Sequence, residues 1–534
     1  MAAAKPIRLV TGFVTVGFWT LMSRVLGFAR DILIAGTMGA GPVAEAFLVA
    51  FSLPNMFRRF FAEGAFNTAF VPMFSKKLES GEDARDFARD AFSGLAAVLI
   101  VLTVVAIIFM PWLVLAMAAG FAGDVRLELA TDFGRIAFAY ILFISLAALL
   151  SGVLNASGRF AAAAAAPLLL NIILVLALIA AERGALPALA IDVTSVESAE
   201  GLMLRHGTLL TWGVLIAGVA QMGLVWIAAA RTGYALVPRL PRLTPDMKRL
   251  AIIALPAMLA GGVVQVNLLV GRQVGSFFDG AIAWLSFADR LYQLPLGVVG
   301  IAVGVVLLPD LSRRLRAGDD MGGRDALSRA GEISMALTIP AAVALVVMPV
   351  PIVSVLFERG AFGADDTAAT ALALAVYGAG LPAFVLQKVL QPLYFAREDT
   401  RTPFRYALVA MVVNAVAAIG FAWLLGFIGA AIGTTLAAWA MVWLLLRGRR
   451  GMGEVAHFDE RFRRRIWRIV FASILMGAGL WSGLIVWGPF LGMPGWRYAA
   501  LAILIVGAIV VYGVLGQLLG AFRLGEFRRA LRRG

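Results

Sequence analysis

Apolar positions fill this chain in long runs separated by short polar stretches, and they do not alternate with polar ones. About 20 mostly apolar residues cross a bilayer as a helix, which satisfies its backbone internally. Fourteen segments of this kind are predicted: 9–35, 43–71, 88–117, 129–155, 163–182, 208–230, 249–273, 279–309, 328–356, 367–395, 405–425, 428–446, 466–488 and 499–520. The lack of alternation excludes a membrane β-barrel. The first run follows Lys5 and Arg8. It is too long for the apolar core of a cleavable signal and reads as the first spanning helix. The predicted fold class is an all-α polytopic membrane protein.

The polar stretches carry an internal repeat. Residues 72–78 read PMFSKKL and 309–315 read PDLSRRL, an offset of 237 residues. Both follow a helix that contains a Leu-Pro step, Leu53-Pro54 and Leu294-Pro295. Helices 1–6 then repeat as helices 7–12. Six is even, so the two bundles share one orientation and are related by a pseudo-two-fold along the membrane normal, as in carriers with a site between two bundles. The expected organisation is an N-lobe at 1–235, a C-lobe at 236–450, and helices 13–14 with a basic tail at 451–534.

Composition sharpens this picture. The chain is 61% hydrophobic and 15% charged, against about 45–50% and 25% in soluble proteins. A soluble or disordered chain is excluded. Forty-six Lys and Arg against 32 Asp and Glu give +14, which alone would suggest nucleic acid. The arginines, however, gather in alternate loops, as at Lys76-Lys77, Arg313-Arg314 and Arg461–Arg465. They set topology by the positive-inside rule and predict both termini in the cytoplasm. Cysteine is absent, and His206 and His457 are the only histidines. That disfavours thiolate or histidine-ligated metals, and no cofactor is expected. Asp319-Asp320 and Asp365-Asp366 read as solvated loop charges on opposite sides, so no enzyme site is expected.

Some charges lie inside the spans, where each costs about 2.5–3.5 kcal/mol at mid-bilayer. Helices 1, 2, 8 and 10 hold Arg24, Arg30, Arg58, Arg59, Arg290 and Lys388 against Asp31, Glu45, Glu63 and Asp289, an excess of two cations. Arg135 and Arg272 also lie in or near spans. Arg59 and Glu63 are spaced to bridge along one helix face. Unpaired cations in low dielectric are costly. A water-filled cavity that receives an anion removes the cost, and arginine's planar fork suits phosphate. The residues therefore point to a diphosphate-bearing substrate. Gly27, Pro295, Gly297 and Gly300 are hinge candidates, with close packing as the alternative.

The stretches SRVLGFARD at 23–31, FSLPNMFRRFFAEGAF at 51–66, LNASGRF at 154–160 and ADRLYQLPLGVVGIAVG at 288–304 resemble the MurJ (MviN) family of the multidrug/oligosaccharidyl-lipid/polysaccharide exporter superfamily. The likeness runs nearly end to end. It implies flipping of lipid II, the undecaprenyl-diphosphate-linked peptidoglycan precursor, across the bacterial inner membrane, with cell-wall synthesis proteins as further partners. It implies substrate binding by Arg24, Arg30, Arg58 and Arg290 in a central cationic cavity. Asp31, Glu45, Arg59, Glu63 and Asp289 form the supporting charge network. Helices 13–14 would form a groove for the lipid tail.

The resemblance also implies a sodium site on acidic residues of helices 7 and 11 in some members. Here 251–278 and 404–453 contain no Asp or Glu, leaving only neutral candidates such as Asn414 and Thr434. Membrane potential is the expected driver of an alternating-access cycle. The alternatives are a flippase for another diphosphate-linked oligosaccharide lipid and a multidrug extruder of the same superfamily. A net-positive cavity is a poor host for the cations that extruders usually carry.

Overall fold

The computed structural model describes residues 9–59, 65–184 and 199–522, with side chains described except at 9–14, 65–68, 199, 255–268 and 298–306. The described residues form eighteen α-helices. In chain order they are α1 (Leu9–Met38), α2 (Pro42–Arg58), α3 (Ala65–Ser80), α4 (Ala84–Ile108), α5 (Met110–Met117), α6 (Val125–Ala137), α7 (Tyr140–Ala156), α8 (Ala161–Glu182) and α9 (Ala199–Ala230). They continue with α10 (Pro245–Gly275), α11 (Ala281–Arg316), α12 (Asp320–Val347), α13 (Pro349–Phe357), α14 (Ala364–Phe395), α15 (Arg401–Leu425), α16 (Ile428–Gly448), α17 (Glu460–Leu491) and α18 (Trp496–Leu518). The chain is an all-helical polytopic membrane protein.

Each apolar segment read from the sequence corresponds to one helix or to a helix pair. The pairs are α2/α3, α4/α5, α6/α7 and α12/α13. Two of these breaks have a common cause. Pro111 and Pro349 stand in the first turns of α5 and α13. A proline lacks the N–H that would continue the preceding helix. Both prolines follow a methionine, Met110 and Met348, so the repeat has a second mark. A third lies at Gly81 and Gly318, with φ of 72° and 68°. Each ends a helix in the left-handed region that glycine adopts without strain. Asp83 and Asp319 follow and cap α4 and α12, accepting from Asp86 N and Gly322 N.

Among the described residues, ten stretches are long and apolar enough to span by composition alone: the third to sixth and ninth to fourteenth segments. The first, second and eighth hold most of the intramembrane charge. Helix ends run past the apolar runs. α17 starts at Glu460, because Asp459 caps it through Phe462 N, and its arginines are good helix formers.

The chain divides into two compact units: Met1–Leu269 with Arg359–Phe362, and Val270–Glu358 with Gly363–Gly534. In the first, α8 packs against α1 and α9, α7 against α9, and α2 against α6. Residues 359–362 seat on the end of α1, where Ala361 N donates to Gly36 O at 2.8 Å. A Cβ on Gly360 (φ 56°) would lie 2.1 Å from Gly36 O, so only glycine fits there. In the second unit α14 packs against α11, α12 and α16, and α15 against α16. A Cβ on Gly429 would meet Ala422 N at 2.4 Å, and one on Gly433 would meet Ala418 N at 2.7 Å. Small residues thus bring α15 and α16 into backbone contact. α17 lies on α12, and Tyr512 of α18 donates to Ala336 O at 2.7 Å.

Candidate substrate-binding charges

In the first unit, the charged turn of α1 has an inner and an outer side. Arg24 is exposed, while Arg30 and Asp31 are buried. Arg30 donates to the Asp31 carboxylate through Nε at 3.0 Å and Nη2 at 2.6 Å, and to Asn171 Oδ1 through Nη1 at 2.9 Å. The guanidinium also lies 5.9 Å from the Phe51 ring centroid. Asn171, the lone amide in the apolar α8, has a second hold. Its Nδ2 donates to Ser23 O at 2.8 Å and Ser23 Oγ at 3.2 Å. It therefore bridges α1 on both sides of Gly27, whose added Cβ would lie 3.4 Å from that amide.

Glu45, in the first turn of α2, is 1% exposed. Its partner is Arg126 at 2.9 Å, which also binds Asp124 at 2.5 Å and lies 4.7 Å from the Phe121 ring centroid. Asp124 in turn caps α6 through Arg126 N. Arg126 falls between the predicted segments 88–117 and 129–155, and the structure places it in the first turn of α6. Arg58 is half-buried at the end of α2, and Arg59 beside it is exposed. Glu63 lies outside the described residues, as does its spaced pairing with Arg59.

In the second unit, α11 presents Asp289 and Arg290 in different directions. Arg290 is exposed. The Asp289 carboxylate accepts hydrogen bonds from Tyr292 and from Gln293 on its own helix. Tyr292 packs on Tyr377 and Phe384, with ring centroids 5.0 and 5.3 Å apart. Lys388 is exposed and Arg272 half-buried. Pro295 and Gly297 lie within the continuous α11. Gly300 is also in that helix, but its surroundings are outside the described residues.

These placements revise the charge inventory. Arg30 and Asp31 neutralise each other, and Glu45 is taken by Arg126, a cation outside the helices first counted. Of the other cations on these helices, Arg24, Arg59, Arg290 and Lys388 are exposed and Arg58 is half-buried. Exposed guanidinium groups on membrane helices can receive an anionic head group through paired hydrogen bonds. Asp319 and Asp366 prove to be structural. Asp319 caps α12 and binds Arg314 at 3.0 Å, and Asp366 accepts from Trp284 Nε1 at 2.8 Å and from Gly363 N at 3.1 Å.

A family model described as "Lipid II flippase MurJ" matches residues 34–507. The chain belongs to the MurJ family. It is 41% identical to the "Probable lipid II flippase MurJ" of Rhizobium tropici, covering 99% of this chain and 97% of that protein. It is 34% identical to the "Lipid II flippase MurJ" of Burkholderia cenocepacia, covering 98% and 99%. A solved "Lipid II flippase MurJ, inward closed conformation" superposes with a TM-score of 0.77 at 25% identity, covering 95% and 98%. A multidrug resistance MATE family transporter of the MOP superfamily shares the fold at 15% identity and a TM-score of 0.61, covering 83% and 98%. MurJ proteins are transporters, and this chain is one.

The residues here do not fit a carboxylate-ligated sodium site on α10 and α15. Neither 251–278 nor 404–453 has an acid. The Thr434 hydroxyl donates to Ala430 O at 3.0 Å. Asn414 is buried where Gly433 presses on its own carbonyl, at 2.8 Å from an added Cβ. A hard cation needs several oxygens, usually including carboxylates.

Proposed function

We propose that this protein flips lipid II from the cytoplasmic to the periplasmic leaflet of the bacterial inner membrane, with both termini in the cytoplasm. The observation that carries this reading is the near full-length match to lipid II flippases. The cationic excess of α1, α2, α11 and α14 fits a diphosphate cargo. It also disfavours the multidrug alternative, whose usual cargo is cationic.

The mechanism is alternating access. A cavity open to the cytoplasm admits the polar head group, and Arg24, Arg58 and Arg290 grip the diphosphate. Arg30 serves through its tie to Asp31 and Asn171, which fixes the stretch of α1 that follows Arg24. The polyprenyl tail stays in the bilayer along α17 and α18. Membrane potential supplies the bias, about 2.3 kcal/mol per charge per 100 mV. Two phosphate charges leaving a negative interior gain roughly twice that. Arginines travelling with them would cancel part of the gain and return it when the empty cavity resets.

The test is complementation. A bacterium depleted of its own lipid II flippase receives this chain, and lipid II reaching the outer leaflet is measured. Rescue is expected. No rescue by protein present at normal membrane levels would overturn the assignment.

A further inference from the structure

At the end of α13, beside the turn between α17 and α18, lies a charged site that the diphosphate chemistry does not use. It is a pocket of about 370 Å³ lined by Ser354, Glu358, Gly492, Pro494, Arg497 and Tyr498 among others. Its two charged walls have unusual partners. The Arg497 guanidinium donates through Nη1 to the Glu358 carbonyl at 3.3 Å and through Nη2 to the Tyr498 hydroxyl at 3.1 Å, and it lies 5.0 Å from the Tyr498 ring centroid. All of these partners are neutral. The Glu358 carboxylate accepts from the Thr367 hydroxyl at 3.0 Å. Among the described residues neither charge takes part in an ion pair, although both line one pocket. Arg30, Arg126, Arg239 and Arg465, by contrast, each hold a carboxylate.

Opposite charges lining one pocket attract each other at a half-dry boundary. Here each is held back by a neutral group of its own: Arg497 by a carbonyl and a phenol, Glu358 by a hydroxyl. A ligand bearing both signs would satisfy both walls at once. The setting says what kind of ligand. Trp487, Phe490 and Trp496 lie against one another at tilted angles in the same turn region, with centroids 5.4 and 6.4 Å apart. Tryptophan and tyrosine of this kind mark the membrane–water boundary. Exposed apolar side chains continue from there along both helices, with Ile485 and Val486 on α17 and Ile503 and Val506 on α18.

We propose that this pocket binds the zwitterionic head group of an aminophospholipid. The phosphate sits on Arg497 and Tyr498, and the primary ammonium on Glu358. The acyl chains extend from the pocket into the adjoining bilayer. The lipid is a resident of the helix pair, not cargo, and the site lies wholly within the second unit.

Native mass spectrometry of the full-length protein tests this, with added phosphatidylethanolamine, phosphatidylglycerol or inorganic phosphate as probes. The parent should retain phosphatidylethanolamine about fivefold over phosphatidylglycerol, the weight of one charge-assisted hydrogen bond at a half-wet site. Glu358→Gln should erase the preference while keeping phosphatidylglycerol. Arg497→Gln should weaken both. Ser354→Tyr, which fills the pocket and leaves both charges in place, should also abolish the preference. Equal retention of the two lipids by the parent would overturn the proposal. So would an unchanged preference in Glu358→Gln or Ser354→Tyr, or displacement by millimolar phosphate, which would mark a free-phosphate site. Unfolding midpoints of the variants should match the parent. Complementation is read separately, so loss of the lipid preference with intact rescue leaves the flippase assignment standing.

Discussion

Replacing Arg126 with methionine should remove an ion-pair partner of Glu45, a residue 1% exposed. At 2.9 Å, two unit charges attract by about 6 kcal/mol at an effective dielectric of 20. Desolvation offsets much of this, so the intact pair adds little net stability. Breaking it is different, because the remaining charge stays buried. The expected loss is about 3–5 kcal/mol. The double variant Glu45→Gln/Arg126→Met buries no lone carboxylate at that position and should recover roughly 2 kcal/mol of the loss. Asp124 loses the same partner but is 31% exposed, so its share is small. The assay is reversible unfolding of the purified protein in mixed micelles of increasing SDS content. A loss under about 1 kcal/mol for Arg126→Met, or a double variant no more stable than the single, would refute the reasoning. The pair is a tie between α2 and α6, so flipping per folded molecule should be unchanged in the double variant.

Arg24→Ala and Arg290→Ala should abolish rescue at normal membrane levels, whereas Arg30→Ala should lower the level itself, because Arg30 is buried on Asp31 and Asn171; immunoblots beside the complementation assay separate the two. Transport in liposomes should follow the sign and size of an imposed potential, and indifference to both would exclude that driver. Gly429→Val should give no monodisperse protein on size exclusion, since even a Cβ meets Ala422 N at 2.4 Å. The hydrogen bond from Arg314 holds the Asp310 carboxyl below its ordinary value of 3.8. That contribution is present above the ordinary value and is lost as pH falls through the lowered one. Arg314→Gln should flatten this acid loss, read as unfolding midpoint against pH.

Ten of the spans were plainly legible because one physical quantity, about 20 apolar residues in a row, defines each of them. The helix breaks were less so. Pro111 and Pro349 stand inside apolar runs, and a run-length reading passes over them. The second mark of the repeat, Met110-Pro111 against Met348-Pro349, was missed for the same reason. Among the site residues, the types and the positive excess could be read, but not the pairing. Glu45 and Arg126 are 81 positions apart, and nothing in periodicity connects them. Arg126 did carry a local signal, since Asp124 before an apolar run is a helix cap. Asn171, a single amide among α8's apolar residues, was the plainest clue left unused.

That asparagine also bears on how α1 could bend. It holds Ser23 and Arg30, on either side of Gly27. A bend of α1 at Gly27 has to release one of these links before it can proceed. Each net hydrogen bond is worth about 1 kcal/mol, and one to a charged group about 1.5–3 kcal/mol. Freeing the neutral Ser23 link would slow a thermally activated bend by roughly fivefold, and freeing the arginine link by roughly 10- to 100-fold. While both links hold, α8 clamps α1 on either side of its glycine, so a kink there carries an energetic cost that a plain apolar helix pair would not impose.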